Sequence, residues 1–384
     1  MSEYQYYEFL AIDRPLTEDE TAALRAISTR AHITPVSFTN EYEWGDFKGD
    51  PEKLMQRYFD AHVYVANWMT AIFMVRLPIE ALVKETAEAM TVPDILDFKA
   101  TRSHWIITWS LEESENYDRF GMEDGSGWMA RLAPVRDELL RGDVRSLYIG
   151  WLAAVTWGII DDDEMEPLPV NGLANLTTAQ QALAEFLEVD QDLLSGAGMG
   201  GPATQDHGIS QMEMDDWIDA LPREEVAAIL KQLLEGKGQQ AERTLKNRFA
   251  AFCRGSRGDG IEAPRRPVGE LWKNAEAVEK IRLEQRKRAR KQREIERRQE
   301  REAYLKYLAR NFPKAWKTVQ QTIKRGSGPA YDEACSILVD LSEAYALQAS
   351  QEHFQDELKN QMADHMRRKA LIQRLVKAGI WMDE

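Results

Sequence analysis

The 384-residue chain has few cysteines and no long apolar run. Cys253 and Cys335 are its two cysteines, and they lie in unrelated segments. A disulfide framework is therefore not expected, and a reducing compartment is favoured. The longest apolar runs, Thr70–Leu77 and Trp151–Ile160, are shorter than the ~20 residues that a membrane-spanning helix needs. The first residues lack the charged and then apolar pattern of a signal peptide. We therefore expect a cytoplasmic protein that makes no membrane contact.

Motifs of common catalytic and metal sites are also missing. The six histidines show no HxH or HxxxH spacing, and no GxSxG, Walker A or HExxH motif occurs. We expect no metal and no cofactor. Gly196–Gly201 superficially resembles a dinucleotide-binding loop, but no predicted strand precedes it and Pro202 follows it, so a linker is predicted. The acidic run Asp161–Glu164 could hold a cation, but a solvated turn is favoured.

Two tripeptides leave one catalytic alternative open. Asp46-Phe47-Lys48 and Asp97-Phe98-Lys99 each match the DxK part of a metal-dependent nuclease pattern. In that pattern carboxylates hold Mg²⁺ and the lysine positions the attacking water. Asp94 precedes the second tripeptide by too few residues to supply a ligand from a separate strand. A divergent metal-dependent hydrolase in the N-terminal domain is therefore a third possibility for the function, behind two kinds of binding protein.

The chain does contain a strongly uneven charge distribution. Its formal net charge is −15, yet Lys280–Arg301 holds eleven Lys/Arg and four Glu, which leaves −22 on the remainder. On a helix, six arginines of this segment fall within an arc of about 100° and form what we call the Arg face: Arg282, Arg286, Arg290, Arg293, Arg297 and Arg301. Lys280, Lys287, Lys291 and Arg298 lie beside it. At ~1.5 Å per residue, the segment forms a positive half-cylinder about 30 Å long.

Three interpretations of this basic helix are open. Between Leu283 and Ala303 its only apolar residues are Ala289 and Ile295, so this stretch is not a heptad coiled coil. A solvated strut is supported by some i, i+4 ion pairs, but many i, i+4 pairs are like-charged and mildly destabilising. Docking on an acidic surface of the same chain or of a partner would offset the repulsion between these like charges. Sequence-independent contact with a nucleic-acid phosphate backbone would also offset this repulsion.

The hydrophobic pattern predicts a mixed α and β chain that is mostly α-helical. Residues 1–165 are predicted to form an α/β sandwich domain in which strands alternate with helices. That alternation favours parallel βαβ pairings, with a ferredoxin-like arrangement as one candidate. A capping box of Thr17 and Glu20 should begin the first helix. A second helix, starting at Pro51, should continue to Ala66 and carry His62 on its apolar stripe.

The rest of the chain is predicted to be helical. A helical domain is expected at 173–253, with a single helix over Ala179–Leu194 and a flexible break at Ser195–Gly208. A Gly/Pro/Arg-rich linker follows at 254–269. The long charged helix is predicted at 270–310, and helical hairpins at 313–384.

The terminal segments carry a family resemblance. YYEFLAIDRPLT and STRAHITPVSFTNEYEWGDFKGDP resemble a family of uncharacterised bacterial proteins. The C-terminal segments AYDEACSILVDLSEAYALQ and HMRRKALIQRLVKAGI are similar to a helical tail of that family and of some SWIM-type zinc-finger proteins. The SWIM Cys/His pattern is missing here, because no CxC occurs. The resemblance implies a bacterial source and the layout above, and it brings no catalytic residues.

These observations favour a non-enzymatic interaction or adaptor protein of a bacterial multi-protein assembly, in which the basic helix docks on an acidic surface. A subunit that contacts the phosphate backbone of nucleic acid is the alternative. Either partner would be bound by the same residues: Arg282, Arg286, Lys287, Arg290, Lys291, Arg293, Arg297, Arg298 and Arg301.

Overall fold

The computed structural model divides the chain into two compact units, residues 1–281 (unit 1) and 282–384 (unit 2). It describes residues 4–112, 125–199, 211–236, 264–348 and 350–381, together with isolated positions between 238 and 252. The boundary between the units lies inside one long helix, α11 (Val268–Ala309). Each unit has its own hydrophobic core.

Unit 1 is built on a seven-stranded sheet in the order β2-β3-β1-β4-β5-β7-β6. Every pairing between these strands is antiparallel. The mixed, mostly helical class is confirmed, but the prediction of parallel pairing was wrong and the ferredoxin-like arrangement is not confirmed. The strands are β1 (Gln5–Leu10), β2 (His32–Thr34), β3 (Ser37–Tyr42), β4 (Ala61–Ala66), β5 (Thr70–Pro78), β6 (Leu96–Ala100) and β7 (His104–Leu111).

The error in strand direction arose at β4, which was predicted as the second half of a helix. The helix α2 (Pro51–Arg57) ends early, and Ala61–Ala66 pairs with both β1 and β5. The β-prone run Val63-Tyr64-Val65 gains two neighbours in the sheet, and this outweighs the helical spacing of its apolar residues. His62 is fully buried on this strand and stacks on Phe9 at 3.9 Å. Burial lowers the pKa of His62 to about 4, so the ring is neutral at pH 7.

Helices cover both faces of the sheet. One face packs under α1 (Glu18–Ile27) and α2, through Leu24, Leu54 and Met55. The capping box of Thr17 and Glu20 is confirmed at the start of α1. The other face packs against α3 (Lys84–Met90), α4 (Trp128–Leu132), α5 (Pro134–Leu140), α6 (Arg145–Thr156), α7 (Thr178–Phe186) and α8 (Gln191–Ala197).

The segment predicted as a single helix over Ala179–Leu194 is two helices, so this prediction was wrong. The chain breaks at Glu188, which has a φ of +52°, and Asp190 caps α8 by accepting a hydrogen bond from the Leu193 backbone N–H at 2.7 Å. Ser195–Ala197, predicted as part of a flexible break, belongs to α8, and 200–208 lies outside the described residues. Two further helices follow, α9 (Gln211–Asp219) and α10 (Arg223–Leu234).

Unit 2 consists of helices around a separate core. After α11 come α12 (Phe312–Lys324), α13 (Gly328–Gln348), α14 (Gln351–Met362) and α15 (Lys369–Lys377). Trp316, Leu338, Tyr345, Phe354 and Leu371 are buried together in this core. The Trp316 indole N–H donates to the Tyr345 hydroxyl at 3.1 Å, so the buried ring nitrogen is satisfied.

A buried ionic cluster joins the sheet of unit 1 to α5. Asp60 is 1% exposed, and one of its oxygens accepts hydrogen bonds from the backbone N–H groups of Ile12 and Asp13 at 2.6 and 2.8 Å. Its other oxygen lies 2.7 Å from Nη2 of Arg76 and 4.0 Å from Nη2 of Arg136. Arg136 also pairs with Asp13 at 2.7 Å and donates to the Arg76 carbonyl oxygen at 2.8 Å. Burial opposes ionisation of Asp60, but the guanidinium groups of Arg136 and Arg76 hold its pKa below the ordinary value.

We expect Asp60→Asn to lower the free energy of unfolding by roughly 3–5 kcal/mol at pH 7, because it leaves the buried Arg136 and the half-buried Arg76 without their shared anion. The folded pKa is below the unfolded one of ~3.9. The stability contributed by ionised Asp60 is therefore fully present above about pH 4 and is lost as the pH falls further. Urea unfolding of the full chain at pH 7 and pH 3 measures both effects.

Asp19→Asn, at an exposed carboxylate in the first turn of α1, is the matched control, and its cost should stay within ~0.5 kcal/mol. An Asp60→Asn cost no larger than that of the control would contradict a structural role for the cluster.

Candidate functional site

The basic segment predicted to bind a partner lies on α11 and is open to solvent. Every residue from Leu283 to Glu300 is exposed, while Arg282 and Arg301 at its ends are half-buried. Val268–Ala309 is one continuous helix, close to the predicted bounds of 270–310. The six arginines of the Arg face therefore lie on one side of the helix, as their spacing requires.

The central arginines of the face make no ion pair or hydrogen bond with any residue that the structure describes: Arg286, Arg290, Arg293 and Arg297. Lys287 and Lys291 beside them are in the same situation, whereas Arg282 does have a partner and the charge of Arg298 acts on Glu302. One i, i+4 pair, Arg288–Glu284, is long at 3.5 Å and strongly exposed. Such pairs contribute about 0–1 kcal/mol. The middle of the face is thus an array of fixed charges that form no ion pair with the glutamates of the same stretch, Glu294, Glu296 and Glu300.

Arg301 shows what this face binds within unit 2. Its guanidinium Nη2 lies 2.6 Å from Asp340 and 2.8 Å from Glu343, which are one turn apart on α13. Its Nε donates a second hydrogen bond to Glu343 at 3.0 Å. The Tyr304 hydroxyl, one turn further along α11, donates to Asp340 at 3.1 Å. Burial and this hydrogen bond raise the pKa of Tyr304. The last arginine of the face therefore docks on two carboxylates of one helix.

The start of α11 is anchored in unit 1. Val268, Leu271 and Ala275 are buried in the core that lies against the sheet. Gly196 of α8 allows the closest approach, because a Cβ on that residue would lie 2.6 Å from the Ala275 backbone nitrogen. Close helix contact here requires glycine.

The acidic run Asp161–Glu164 contributes to this anchor through its backbone. The Asp162 carbonyl oxygen accepts from the Gly269 N–H at 2.8 Å, and the Glu164 carbonyl oxygen accepts from the Val268 N–H at 2.9 Å. These bonds satisfy backbone N–H groups at the helix start, and acidic residues are favourable beside that positive end. The carboxylates themselves are exposed, as expected of a solvated turn.

A buried carboxylate next to this run was not recognised in the sequence. Glu166 is 1% exposed, accepts from the Tyr148 hydroxyl at 2.6 Å and pairs with Nε of Arg266 at 3.0 Å. Arg266 also donates to the carbonyl oxygens of Ala197 and Met199. All three side chains are satisfied, so the group is an internal clamp between the loop and the start of α11. Neither residue has a sequence signal, because the two are 100 positions apart.

The two DxK tripeptides do not form one site. Asp46 and Lys48 follow β3, whereas Asp97 and Lys99 are on the edge strand β6, with four strands between β3 and β6. All four side chains are exposed. Lys99 is paired with Glu52 of α2. Burial and the neighbouring Asp94 raise the pKa of Asp97, but these tripeptides do not bring two carboxylates and a lysine together.

Histidine, cysteine and acidic side chains elsewhere in the chain are the remaining candidates for a metal or thiol site. Within the part of the chain that the structure describes, no group of three His, Cys, Asp or Glu is arranged to hold a metal ion. Cys335 is a half-buried free thiol, and Cys253 and His207 lie outside the described residues.

A groove of about 420 Å³ lies between the end of β1 and the α4–α5 junction, with Leu10, Ile12 and Ala133 in its walls. Arg14 at the groove is neutralised by a bidentate pair with Glu20.

Comparison of the chain with family models, curated proteins and solved structures finds no match. Function therefore has to be inferred from the residues themselves. None of the helices within the described ranges combines the length and apolar character that a membrane crossing requires.

We expect Arg301→Gln and Asp340→Asn to show a coupling free energy of roughly 0.2–1 kcal/mol in a double-mutant cycle, as measured for partly exposed ion pairs. Hydrogen exchange of the α13 amides in the full chain reports the local stability. Arg286→Gln with Asp340→Asn is the control cycle, because Arg286 lies about 23 Å along the helix from Arg301. Equal coupling in both cycles would rule out a specific contact at Arg301.

Proposed function

We propose that this chain is a non-enzymatic interaction protein that binds an acidic protein surface through the Arg face of α11. One observation carries the proposal. Arg301 docks on Asp340 and Glu343 of unit 2, while the same side chain recurs at exposed positions of the same face without a carboxylate. A face that already pairs with carboxylates at one end has the chemistry to pair with them along its length.

The charge distribution supports binding of the face to an acidic surface. Unit 2 contains 22 Lys/Arg and 15 Asp/Glu, a formal charge of +7, while unit 1 contains 27 and 49, a charge of −22. The positive charge is concentrated on the exposed helix segment. Complementary charge at an interface mainly increases association rate and selects the partner.

Electrostatic repulsion within the Arg face also favours a helix that is bound to an anionic partner. Arg282–Arg286, Arg286–Arg290 and Arg297–Arg301 are like-charged i, i+4 pairs, each destabilising a helix by roughly 0.2–0.5 kcal/mol. A solvated strut gains nothing in return. Binding to an anionic partner relieves this repulsion, so the sequence fits a bound helix better than a free one. Consistent with the terminal sequence resemblance, we place the protein in a bacterial cytoplasmic assembly.

The test replaces four central arginines: R286Q/R290Q/R293Q/R297Q. Glutamine keeps helix propensity nearly unchanged and removes four charges. The full-length protein is used for affinity purification from a nuclease-treated bacterial lysate, with quantitative mass spectrometry. We expect an acidic protein partner that survives nuclease treatment and is reduced at least tenfold in the variant.

The matched control, K273Q/K280Q/R288Q/K306Q, removes the same charge from exposed positions on the other side of the helix and should retain the partner. Retention of partners by the Arg-face variant would show a solvated strut. Loss of partners on nuclease treatment would favour the nucleic-acid alternative. In that case duplex DNA should bind the wild type, with a log–log salt slope that flattens by up to ~0.9 per lost contact in the variant.

A further inference from the structure

The contact at Arg301 defines a geometry as well as a chemistry. Tyr304 contacts Asp340, and Arg301, three residues earlier on α11, contacts Asp340 and Glu343. Asp340 and Glu343 are three positions apart on α13, so they lie on the same side of that helix. This end of the Arg face thus meets carboxylates that are spaced by one helical turn.

The contact with α13 is confined to one end of the Arg face. Arg297, Arg293, Arg290 and Arg286 lie about 6, 12, 17 and 23 Å along α11 from Arg301. All four are exposed and make no ion pair or hydrogen bond with any residue that the structure describes. The arginines thus continue where their carboxylate partners on α13 stop.

We propose that the partner surface is an α-helix with carboxylates along one face, which lies along α11 and offers the central arginines the carboxylate spacing that α13 offers Arg301. This inference rests on the proposed function and specifies the shape of the acidic surface. The segment from Arg286 to Arg297 is about 17 Å long, which a partner helix of three turns covers with carboxylates at i, i+4, i+7 and i+11.

The spacing of the arginines selects a helix over other acidic surfaces. Successive arginines from Arg286 to Arg297 are 4, 3 and 4 residues apart, or about 6, 4.5 and 6 Å along the axis. A helix has the same rise, so its i, i+3 and i+4 carboxylates stay in register over the whole length. Same-face residues of a strand recur every ~6.7 Å and fall out of register by the fourth position. Phosphates of one DNA strand advance ~3.4 Å each along a curved path.

The contact is expected to be polar and salt-sensitive. Leu283 is the one large apolar side chain near this face on the wheel, and Ile295 points to the opposite side. Affinity therefore comes from charge-assisted hydrogen bonds, with the aliphatic stems of the arginines covering the partner helix. Bidentate geometry favours arginine over lysine at every position.

Two alanine-based 18-residue peptides of identical composition test the inference. One carries Glu at positions 4, 8, 11 and 15, on a single face, and the other at positions 4, 6, 11 and 13, on two opposite faces. Circular dichroism confirms equal helicity, and fluorescence anisotropy at low salt measures binding to the full-length protein. We expect the one-face peptide to bind at least fivefold more tightly. R286Q/R290Q/R293Q/R297Q should abolish that difference, and K273Q/K280Q/R288Q/K306Q should retain it.

Equal binding of the two peptides by the wild type would overturn the helix geometry. If the nuclease-resistant partner is still lost in the Arg-face variant, the proposed function survives that result. If neither peptide binds and no acidic partner is retained, both fail. A 20-base-pair duplex that binds more tightly than either peptide, and in dependence on the Arg face, would assign the site to nucleic acid.

Discussion

A helix without an apolar stripe depends on its ends. From Leu283 to Ala303 α11 offers almost nothing to a hydrophobic core, and its own ion pairs contribute little. Its helical state is therefore maintained by the turns at its two ends, where tertiary packing offsets the unfavourable free energy of helix nucleation. Val268, Leu271 and Ala275 are fixed in the core of unit 1, and Leu305 is buried in unit 2. Because the ends supply the stability, the middle of the helix is free to carry charge for another purpose.

Arginine is used in two distinct ways in this chain. Arg76 and Arg266 hold buried carboxylates, Asp60 and Glu166, and use their remaining donors on backbone carbonyl groups. Such clusters are tolerated only when every partner is present, so they fix the positions of neighbouring segments. The arginines at the centre of the Arg face have the opposite surroundings, with solvent on all sides and like charges one turn away. The first kind is structural. The second makes chemical sense only in a complex, which is the basis of the proposed function.

Local signals in the sequence predicted local structure well. The capping box at Thr17, the strand at Thr70 and the long helix could be predicted because neighbouring residues determine them. The direction of the strands could not, since the run after Asp60 has apolar spacing that suits a helix until β1 and β5 pair with it. The Arg face was visible as spacing on one helix. Its carboxylate partners were not, although Asp340 and Glu343 have the i, i+3 spacing that marks one side of a helix. Contacts between residues distant in sequence leave no pattern in either segment.

The clamp between Glu166 and Arg266 has a consequence for synthesis of the chain. The two residues are separated by 100 positions, and a ribosome adds roughly 5–20 residues per second. Glu166 is therefore made about 5–20 s before Arg266, and α8, which ends 69 positions before Arg266, is complete about 3–14 s before it. During that interval Glu166, Tyr148 and the carbonyl groups of Ala197 and Met199 lack the Arg266 guanidinium that contacts them in the folded protein. The first turns of α11 thus complete the interior of unit 1 late, and the basic helix is produced only when its attachment point already exists.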